Sequence, residues 1–207
     1  MSKTLEELIA LNVDHDLRVR KLVQSAGQGW LERRRAQDRA AYQVLLSAIP
    51  LYARKATLEL GAGYGGGFDL LAVLGFGPLL GLEIVFDKAQ QGQGLGRPVE
   101  WGDMADLGRF EEESFDCVVS RHSLEHTDRP RDVVAEVWRV LRPGGYTAHV
   151  VPAFAGSATE PAHLTNWTWE QWRQVWHETG FLAVTGEYRD YADRELHMVL
   201  RKPTCTA

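Results

Sequence analysis

The stretch from Lys55 to Leu71 constrains the fold most, because it joins a short apolar run to a glycine-rich turn and a helical pattern. Ala56 to Leu60 fits a buried parallel strand, and Gly61, Gly63 and Gly65 follow it at alternate positions. Glycine allows a sharp turn and a close approach of backbone to ligand. Such a turn also directs the N–H groups of the next helix into a cleft. The pattern predicts a dinucleotide-type binding loop.

Two acidic residues accompany this loop. Glu59 lies inside the strand, near the carboxyl end where a cleft would form. Glu83 ends a second apolar run, about 20 residues after the first glycine, which is the spacing of an acidic residue that binds a ribose diol. Gly66 also completes a G-x-G-x-x-G pattern with Gly61 and Gly63, so a nicotinamide dinucleotide is an alternative ligand.

Strand patterns alternate with helical patterns from Lys55 onwards, which predicts an α/β fold with helices on both faces of a parallel sheet. The predicted strands are 56–60, 79–83, 99–101, 115–120, 146–151, 181–188 and 196–201. The predicted helices are 66–74, a helix after Asp87, 132–141, and a helix that begins at Thr168. The glycine-rich segment 90–96 is predicted to be a loop.

Residues 1–50 are predicted to form a helical extension before a domain that spans residues 51–207. Thr4 and Glu7 have capping-box spacing, and a further helix ends at Pro50. Seven basic residues against two acidic ones lie between positions 18 and 39. A solvated helix face explains this charge, and a contact with an anionic substrate or RNA through Arg33 to Arg35 is the alternative.

Six sequence blocks, taken in order, resemble the class I S-adenosylmethionine-dependent methyltransferases. The blocks are Glu59–Gly65, Gly81–Ile84, Gly102–Leu107, Phe115–Ser120, Leu124–His126 and Val140–Gly145. They cover roughly residues 55 to 152, and the segment from Leu124 to Gly145 is most similar to the group that methylates small molecules. The resemblance is specific as a set of blocks.

This resemblance implies a Rossmann-like, doubly wound, seven-stranded sheet, mostly parallel with an antiparallel last strand. It implies that the N-terminal extension covers the substrate cleft as a helical lid. It also implies an S-adenosylmethionine-dependent methyltransferase that acts on a small-molecule acceptor. A nicotinamide-dependent oxidoreductase and a non-catalytic, cofactor-binding regulatory module are the competing functions.

The resemblance assigns cofactor contacts to eight residues: Glu59, Gly61, Gly63, Gly65, Glu83, Asp103, Met104 and Arg121. The glycine loop would hold the methionine end and Glu83 the ribose. Asp103 would accept the adenine amino group beside Met104, or would only cap a turn. Arg121, just past the fourth strand, would lie near the sulfur.

Three histidines, His122, His126 and His163, are candidates for a catalytic base, because an imidazole of near-neutral pKa suits proton removal from an acceptor. Glu125 would orient its neighbour. The alternatives are that the Leu-Glu-His segment only begins a helix, and that methyl transfer proceeds by proximity alone.

The sequence has no HExxH motif, and Cys117 and Cys205 lack partners, so we expect no metal site. The same two cysteines give no disulfide framework, which favours a reducing cytoplasm. No apolar run approaches membrane-spanning length, and acidic residues near the start argue against a signal peptide. A net charge of −5 makes a nucleic-acid partner unexpected.

Four tryptophans lie within ten residues near the carboxyl end. Trp169, Trp172 and Trp176 share helical spacing, which predicts core packing, whereas Trp167 precedes the helix and is a candidate wall of the substrate site. Together with the basic extension, this cluster suggests an aromatic or anionic small-molecule acceptor. Oxygen, nitrogen, sulfur and carbon are all compatible as acceptor atoms.

Overall fold

A computed structural model describes residues 3–26, 46–153, 160–189 and 195–204, together with the single positions 36, 39, 40 and 43. Its strands are β1 (Thr57–Leu60), β2 (Leu79–Glu83), β3 (Val99–Trp101), β4 (Phe115–Arg121), β5 (Leu141–Pro152), β6 (Leu182–Arg189) and β7 (Glu195–Arg201). These strands form one seven-stranded sheet in the order β3-β2-β1-β4-β5-β7-β6.

The pairing directions confirm the predicted Rossmann-like sheet. β1 pairs in parallel with both β2 and β4, β3 with β2, and β5 with β4. β7 is antiparallel to β5 and to β6. Because chain connections diverge on either side of β1 and β4, the carboxyl ends of these two strands form the crevice in which doubly wound sheets bind ligands.

The helices of the described residues are α1 (Leu5–Ala26), α2 (Phe68–Val73), α3 (Phe86–Gly94), α4 (Pro130–Val140) and α5 (Trp169–Thr179). Single 3₁₀ turns occupy Leu51–Ala53 and Leu124–His126. Position 46 is helical and buried, and the helical conformation ends before Pro50, as predicted. None of the helices in this part of the chain has the length and hydropathy that a membrane crossing requires.

Two capping boxes fix helix starts where the sequence predicts them. At α1, the Thr4 N–H donates to the Glu7 carboxylate at 2.8 Å, and the Glu7 N–H donates to the Thr4 hydroxyl at 3.2 Å. At α5, Thr168 and Gln171 make the same reciprocal pair. Each box satisfies two N–H groups that the helix itself leaves without partners.

The prediction of a loop over 90–96 is wrong, because α3 continues through Gly94. A Cβ atom added at Gly92 would lie 2.9 Å from Cγ2 of Val99 and 3.2 Å from the carbonyl oxygen of Tyr64. The glycine therefore lets α3 pack directly on β3 and on the glycine turn. This tertiary contact outweighs the low helix propensity of the segment.

The core has two layers, one on each face of the sheet. One face packs against α4 and α5, and the other against α2, α3 and the helical residues before Pro50. Trp172 and Trp176 are buried, and Trp169 packs against the same cluster, as their spacing predicts. The Trp176 ring stacks on His149 with a centroid distance of 4.8 Å. Burial lowers the pKa of His149 to about 3, so this ring is neutral.

We predict that Trp176→Ala lowers the free energy of unfolding by about 3–5 kcal/mol, because it removes a fully buried ring and leaves a cavity. Urea denaturation followed by circular dichroism measures this. Leu51→Ala is the control, since Leu51 is 74% exposed, and its effect should stay within about 0.5 kcal/mol. Equal effects of the two substitutions would contradict the assignment of Trp176 to the core.

Candidate cofactor and active site

A cavity of about 190 Å³ opens at the carboxyl ends of β1, β2, β3 and β4. Residues at these strand ends and two residues of α1 line the cavity. The lining residues are Leu8, Asn12, Gly61, Gly63, Leu82, Glu83, Ile84, Lys88, Gly102, Asp103, Met104, His122, Ser123, His126 and Thr127. One cavity therefore contains five of the eight predicted cofactor contacts and two of the three candidate histidines.

The turn after β1 requires glycine for two different reasons. Gly61, Gly63 and Gly65 have φ angles of +68°, +59° and +76°, a region that side chains disfavour. A Cβ atom at Gly61 would lie 2.2 Å from the Ser123 hydroxyl, so this glycine lets β1 and β4 end close together. At Gly63 a Cβ atom would meet no heavy atom within 4 Å, because the residue faces the cavity. Gly65 packs instead against Arg97.

Glu83 is held in the cavity wall by the backbone. The N–H of Gly63 donates to Oε2 at 2.8 Å, and the N–H of Val85 donates to Oε1 at 2.8 Å. Each carboxylate oxygen keeps a second lone pair, which can accept a hydrogen bond from a diol. Glu83 thus has the position and the chemistry that a nucleoside ribose needs.

Asp103 and Met104 line the cavity after β3. Oδ1 of Asp103 accepts the N–H of Ala105 at 2.9 Å, which caps the turn, and Oδ2 pairs with the guanidinium of Arg129. The structure therefore shows the turn-capping role, while the contact with adenine stays a prediction. Met104 is buried in the same wall.

Glu59, Gly65 and Arg121 are absent from the cavity lining that the described residues form. Glu59 lies beneath the loop, where a Cβ atom at Gly67 would come within 2.5 Å of its carboxylate. Burial raises the pKa of Glu59 to about 8, and the positive charge of Arg121 opposes this only in part. Glu59 therefore holds a proton at neutral pH, and its cofactor contact stays a prediction, as do those of Gly65 and Arg121.

His122 is clamped between two buried carboxylates. Its Nε2–H donates to Oε1 of Glu195 at 2.8 Å, and its Nδ1 lies 3.6 Å from Oε1 of Glu125. Burial lowers the pKa of His122, but these carboxylates outweigh it and raise the pKa to about 9. The ring is thus an imidazolium at neutral pH. In this state it donates hydrogen bonds and does not accept a proton.

His126 and His163 lie together on the next part of the rim. Their rings make an edge-to-face contact with a centroid distance of 5.0 Å. Nδ1 of His126 lies 3.0 Å from the carbonyl oxygen of Ala162, so Nδ1 carries a proton, and in the neutral ring Nε2 is the acceptor atom. His126 lines the cavity, whereas His163 is not part of the lining that the described residues form.

Sequence reasoning missed Leu8 and Asn12 of α1, which line the cavity, and Glu195, which binds His122. Leu8 belongs to the apolar pattern of α1, but no pattern says which surface that helix covers. Glu195 also accepts a hydrogen bond from His197 at 2.9 Å, and the two histidines hold its pKa below the usual range although burial raises it. An acid directly before an apolar strand is the one signal that could have drawn attention to it.

Comparison with known proteins agrees with this geometry. A family model described as a methyltransferase domain matches residues 58–149, which include the glycine turn, Glu83, Asp103 and the histidine rim up to β5. This part of the chain is similar to a methyltransferase domain. The similarity implies S-adenosylmethionine as the cofactor and favours it over the nicotinamide alternative that Gly66 left open.

Several solved structures share the fold at low sequence identity. An S-adenosylmethionine-dependent methyltransferase from Mesorhizobium loti has a TM-score of 0.66 and 17% identity, with 79% of this chain and 98% of that chain covered. One from Methanosarcina mazei has a TM-score of 0.61 and 17% identity over 72% and 92% of the two chains. The cyclase SpnF has a TM-score of 0.60 and 17% identity over 72% and 76%.

A curated relative is a 37.1 kDa protein in a transposon of Streptomyces fradiae, 32% identical over 114 residues. The match covers 52% of this chain and 33% of the relative. The chain therefore spans about a third of the length of this relative.

We predict that Glu59 makes stability depend on pH. The carboxyl group titrates near 4.5 in the unfolded chain and near 8 in the folded one, so only the unfolded state is ionised between these values. The free energy of unfolding should therefore fall as pH rises through this window, by up to about 1.4 kcal/mol per unit from this group. Glu59→Gln should remove that contribution when cofactor-free protein is unfolded in urea at pH 5 to 8.

The matched control for this experiment is Glu111→Gln, because Glu111 is exposed. It should keep the wild-type dependence on pH. If Glu59→Gln and the wild type show the same slope, Glu59 is ionised in the folded state and the assignment of its proton is wrong.

We also predict that Glu83→Gln weakens binding of S-adenosylhomocysteine roughly tenfold or more, because the amide replaces an acceptor of charge-assisted hydrogen bonds. Isothermal titration calorimetry measures the Kd, and thermal unfolding checks that the variant is folded. Glu111→Gln serves again as the control and should bind like the wild type. An unchanged Kd in Glu83→Gln would show that the ribose lies elsewhere.

Proposed function

We propose that the protein methylates a small-molecule acceptor that binds between Glu83 and the histidine rim, with the N-terminal segment 1–50 as its cover. One observation carries this proposal: a single cavity is lined on one side by the backbone-held Glu83 and on the other by His122 and His126. A nucleoside fits the first side. The second side is where an acceptor would meet the methyl group.

Methyl transfer requires mainly that the protein positions the acceptor and the cofactor. S-adenosylmethionine, when bound, supplies an electrophilic methyl group on a sulfonium. The protein then orients the acceptor in line with that bond and excludes water from it. The imidazolium of His122 can hold an acceptor as a hydrogen-bond donor. His126 presents an acceptor nitrogen at the cavity, so of the three predicted histidines it is the one best placed to meet an acceptor proton.

The contacts of α1 support its proposed role as a cover. Leu8 and Asn12 line the cavity, and Leu8 is buried. The Lys3 N–H donates to the carboxylate of Asp128, and Arg18 pairs with Glu160 at 2.5 Å. These bonds attach α1 to the rim around the acceptor side. Because the charge of Arg18 is used in this attachment, it adds nothing to the proposal of an anionic or RNA contact, and Arg33 to Arg35 lie outside the described residues.

The cavity lining bears on the acceptor. Leu8 and Asn12 of α1 line the cavity together with the strand ends, which supports an acceptor small enough to fit beneath this helix. Trp167 packs against Trp172 with a centroid distance of 4.9 Å and against the core cluster. The packing of Trp167 therefore gives no support to the proposal of an aromatic acceptor.

We further propose a cytoplasmic location, which the buried free thiol of Cys117 supports. Cys205 lies outside the described residues.

The test has two stages. S-adenosylhomocysteine at 100 times its Kd should stabilise the protein by about 2.7 kcal/mol in thermal unfolding, and NAD should not. Incubation with S-adenosylmethionine and a panel of small hydroxylated, amine and thiol compounds should then release S-adenosylhomocysteine with at least one of them. A well-folded protein that S-adenosylhomocysteine does not stabilise would contradict the proposal.

A binding role without methyl transfer is the second candidate function. The shared fold of the cyclase SpnF favours keeping it, since that protein is named for a different reaction. Stabilisation by S-adenosylhomocysteine without its release from any acceptor in the panel would select this second candidate.

A further inference from the structure

We propose that Glu125, His126 and His163 bind a divalent transition-metal ion beside the acceptor side of the cavity. Each residue offers one ligand atom, and the three atoms lie within 4.8 Å of one another. Two imidazole nitrogens and one carboxylate oxygen are the three protein ligands of an open, catalytic type of zinc site. The residues come from two distant segments, which is why spacing rules applied to the sequence predicted no metal.

The buried carboxylate of Glu125 is the observation that indicates a bound cation. Glu125 is 3% exposed, and neither of its carboxylate oxygens has a hydrogen-bond partner among the described residues. Ring nitrogens of His122 and His126 lie 3.6 and 3.9 Å from Oε1 of Glu125. The Nε2–H of His122 is taken by Glu195, and its Nδ1–H faces Glu125 only across 3.6 Å, which is longer than a normal hydrogen bond, so both carboxylate oxygens keep lone pairs for a further ligand. A buried carboxylate of this kind is costly unless a cation or donor compensates it.

His126 is oriented as a metal ligand would be. Its Nδ1–H donates to the carbonyl oxygen of Ala162 at 3.0 Å, which directs the acceptor nitrogen Nε2 to the side of Glu125. A hydrogen bond from the second ring nitrogen to a backbone carbonyl is the usual way in which proteins fix the tautomer of a ligating histidine.

Backbone hydrogen bonds join the two segments that carry the ligands. The N–H groups of Leu164 and Thr165 both donate to the carbonyl oxygen of Glu125, at 2.7 and 3.0 Å. The hydroxyl of Thr165 donates to the carbonyl oxygen of Thr127. These bonds place His163 opposite Glu125 and His126 before any ion binds, so that little reorganisation is needed.

The ligand set selects the class of ion. Imidazole nitrogen suits zinc and its transition-metal neighbours, whereas magnesium and calcium prefer sites made of oxygen. A tetrahedral ion with bonds of about 2.1 Å sets its ligands roughly 3.4 Å apart, so the three side chains have to converge only slightly.

The position of the site suggests what the ion does, and this part rests on the proposed function. His126 also lines the cavity, so a coordination position left open would face the acceptor. An acceptor hydroxyl bound there would lose its proton to solvent more readily. Its oxygen would then form the new bond to carbon while the carbon–sulfur bond breaks and S-adenosylhomocysteine leaves. The binding site itself does not depend on this step.

Tag-free protein, treated with a chelator and dialysed, tests the site. Calorimetric titration with Zn²⁺ should show one ion per chain, and Co²⁺ should give the absorbance of a site with nitrogen and oxygen ligands. His163→Ala and Glu125→Gln should each weaken Zn²⁺ binding at least tenfold, as losses at metal sites commonly do. His177→Ala, an exposed histidine on α5, is the matched control and should bind like the wild type.

Two results would overturn the site: no stoichiometric binding by folded wild-type protein, or equal affinity in all variants. If a variant fails to fold, NMR of the imidazole groups of the wild-type protein still tests the site. Addition of Zn²⁺ should shift the signals of His126 and His163. Shifts that are confined to other histidines would refute the site. S-adenosylhomocysteine is titrated in parallel. If the protein binds S-adenosylhomocysteine but not Zn²⁺, only the metal site is refuted. If it binds Zn²⁺ but not S-adenosylhomocysteine, only the proposed function is refuted.

Discussion

The glycine turn after β1 is the constraint on which the site depends. The N–H groups of Gly61 and Ala62 both donate to the carbonyl oxygen of Leu82, and the N–H of Gly63 donates to Glu83. The turn thereby fixes the end of β2 as well as its own strand. Because Gly61 has no side chain, Ser123 can approach it, and the rim that follows β4 comes to the same cavity. Three strand ends are thus positioned by one left-handed turn.

The rim that this turn positions is built around buried charge. His122 is held as an imidazolium by Glu195 and Glu125, while His126 has its protonated nitrogen committed to a carbonyl. Neighbouring histidines therefore do different chemistry, one donating and one accepting. The environment, and not the residue type, sets this division. Glu125 is central to it, since it lies between the donor ring and the accepting one.

The sequence predicts well what local pattern controls. Apolar runs predict the strands, alternate glycines predict the turn, and the end of the second apolar run predicts an acid at a strand end, because all of these depend on residues close along the chain. The helix through Gly92 could not be predicted, since a contact with β3 stabilises it. The pairing of His122 with Glu195 and the cluster of Glu125 with His163 also depend on contacts between distant segments, which periodicity does not contain.

In the proposed function, one cavity holds the nucleoside at Glu83 and leaves its other side to an acceptor. A crystal structure of the protein with S-adenosylhomocysteine tests this most directly. We expect both ribose hydroxyls within hydrogen-bond distance of the Glu83 carboxylate, with the sulfur facing the side that His122 and His126 line. Density for the ligand away from Glu83, or with its sulfur turned from that rim, would contradict it.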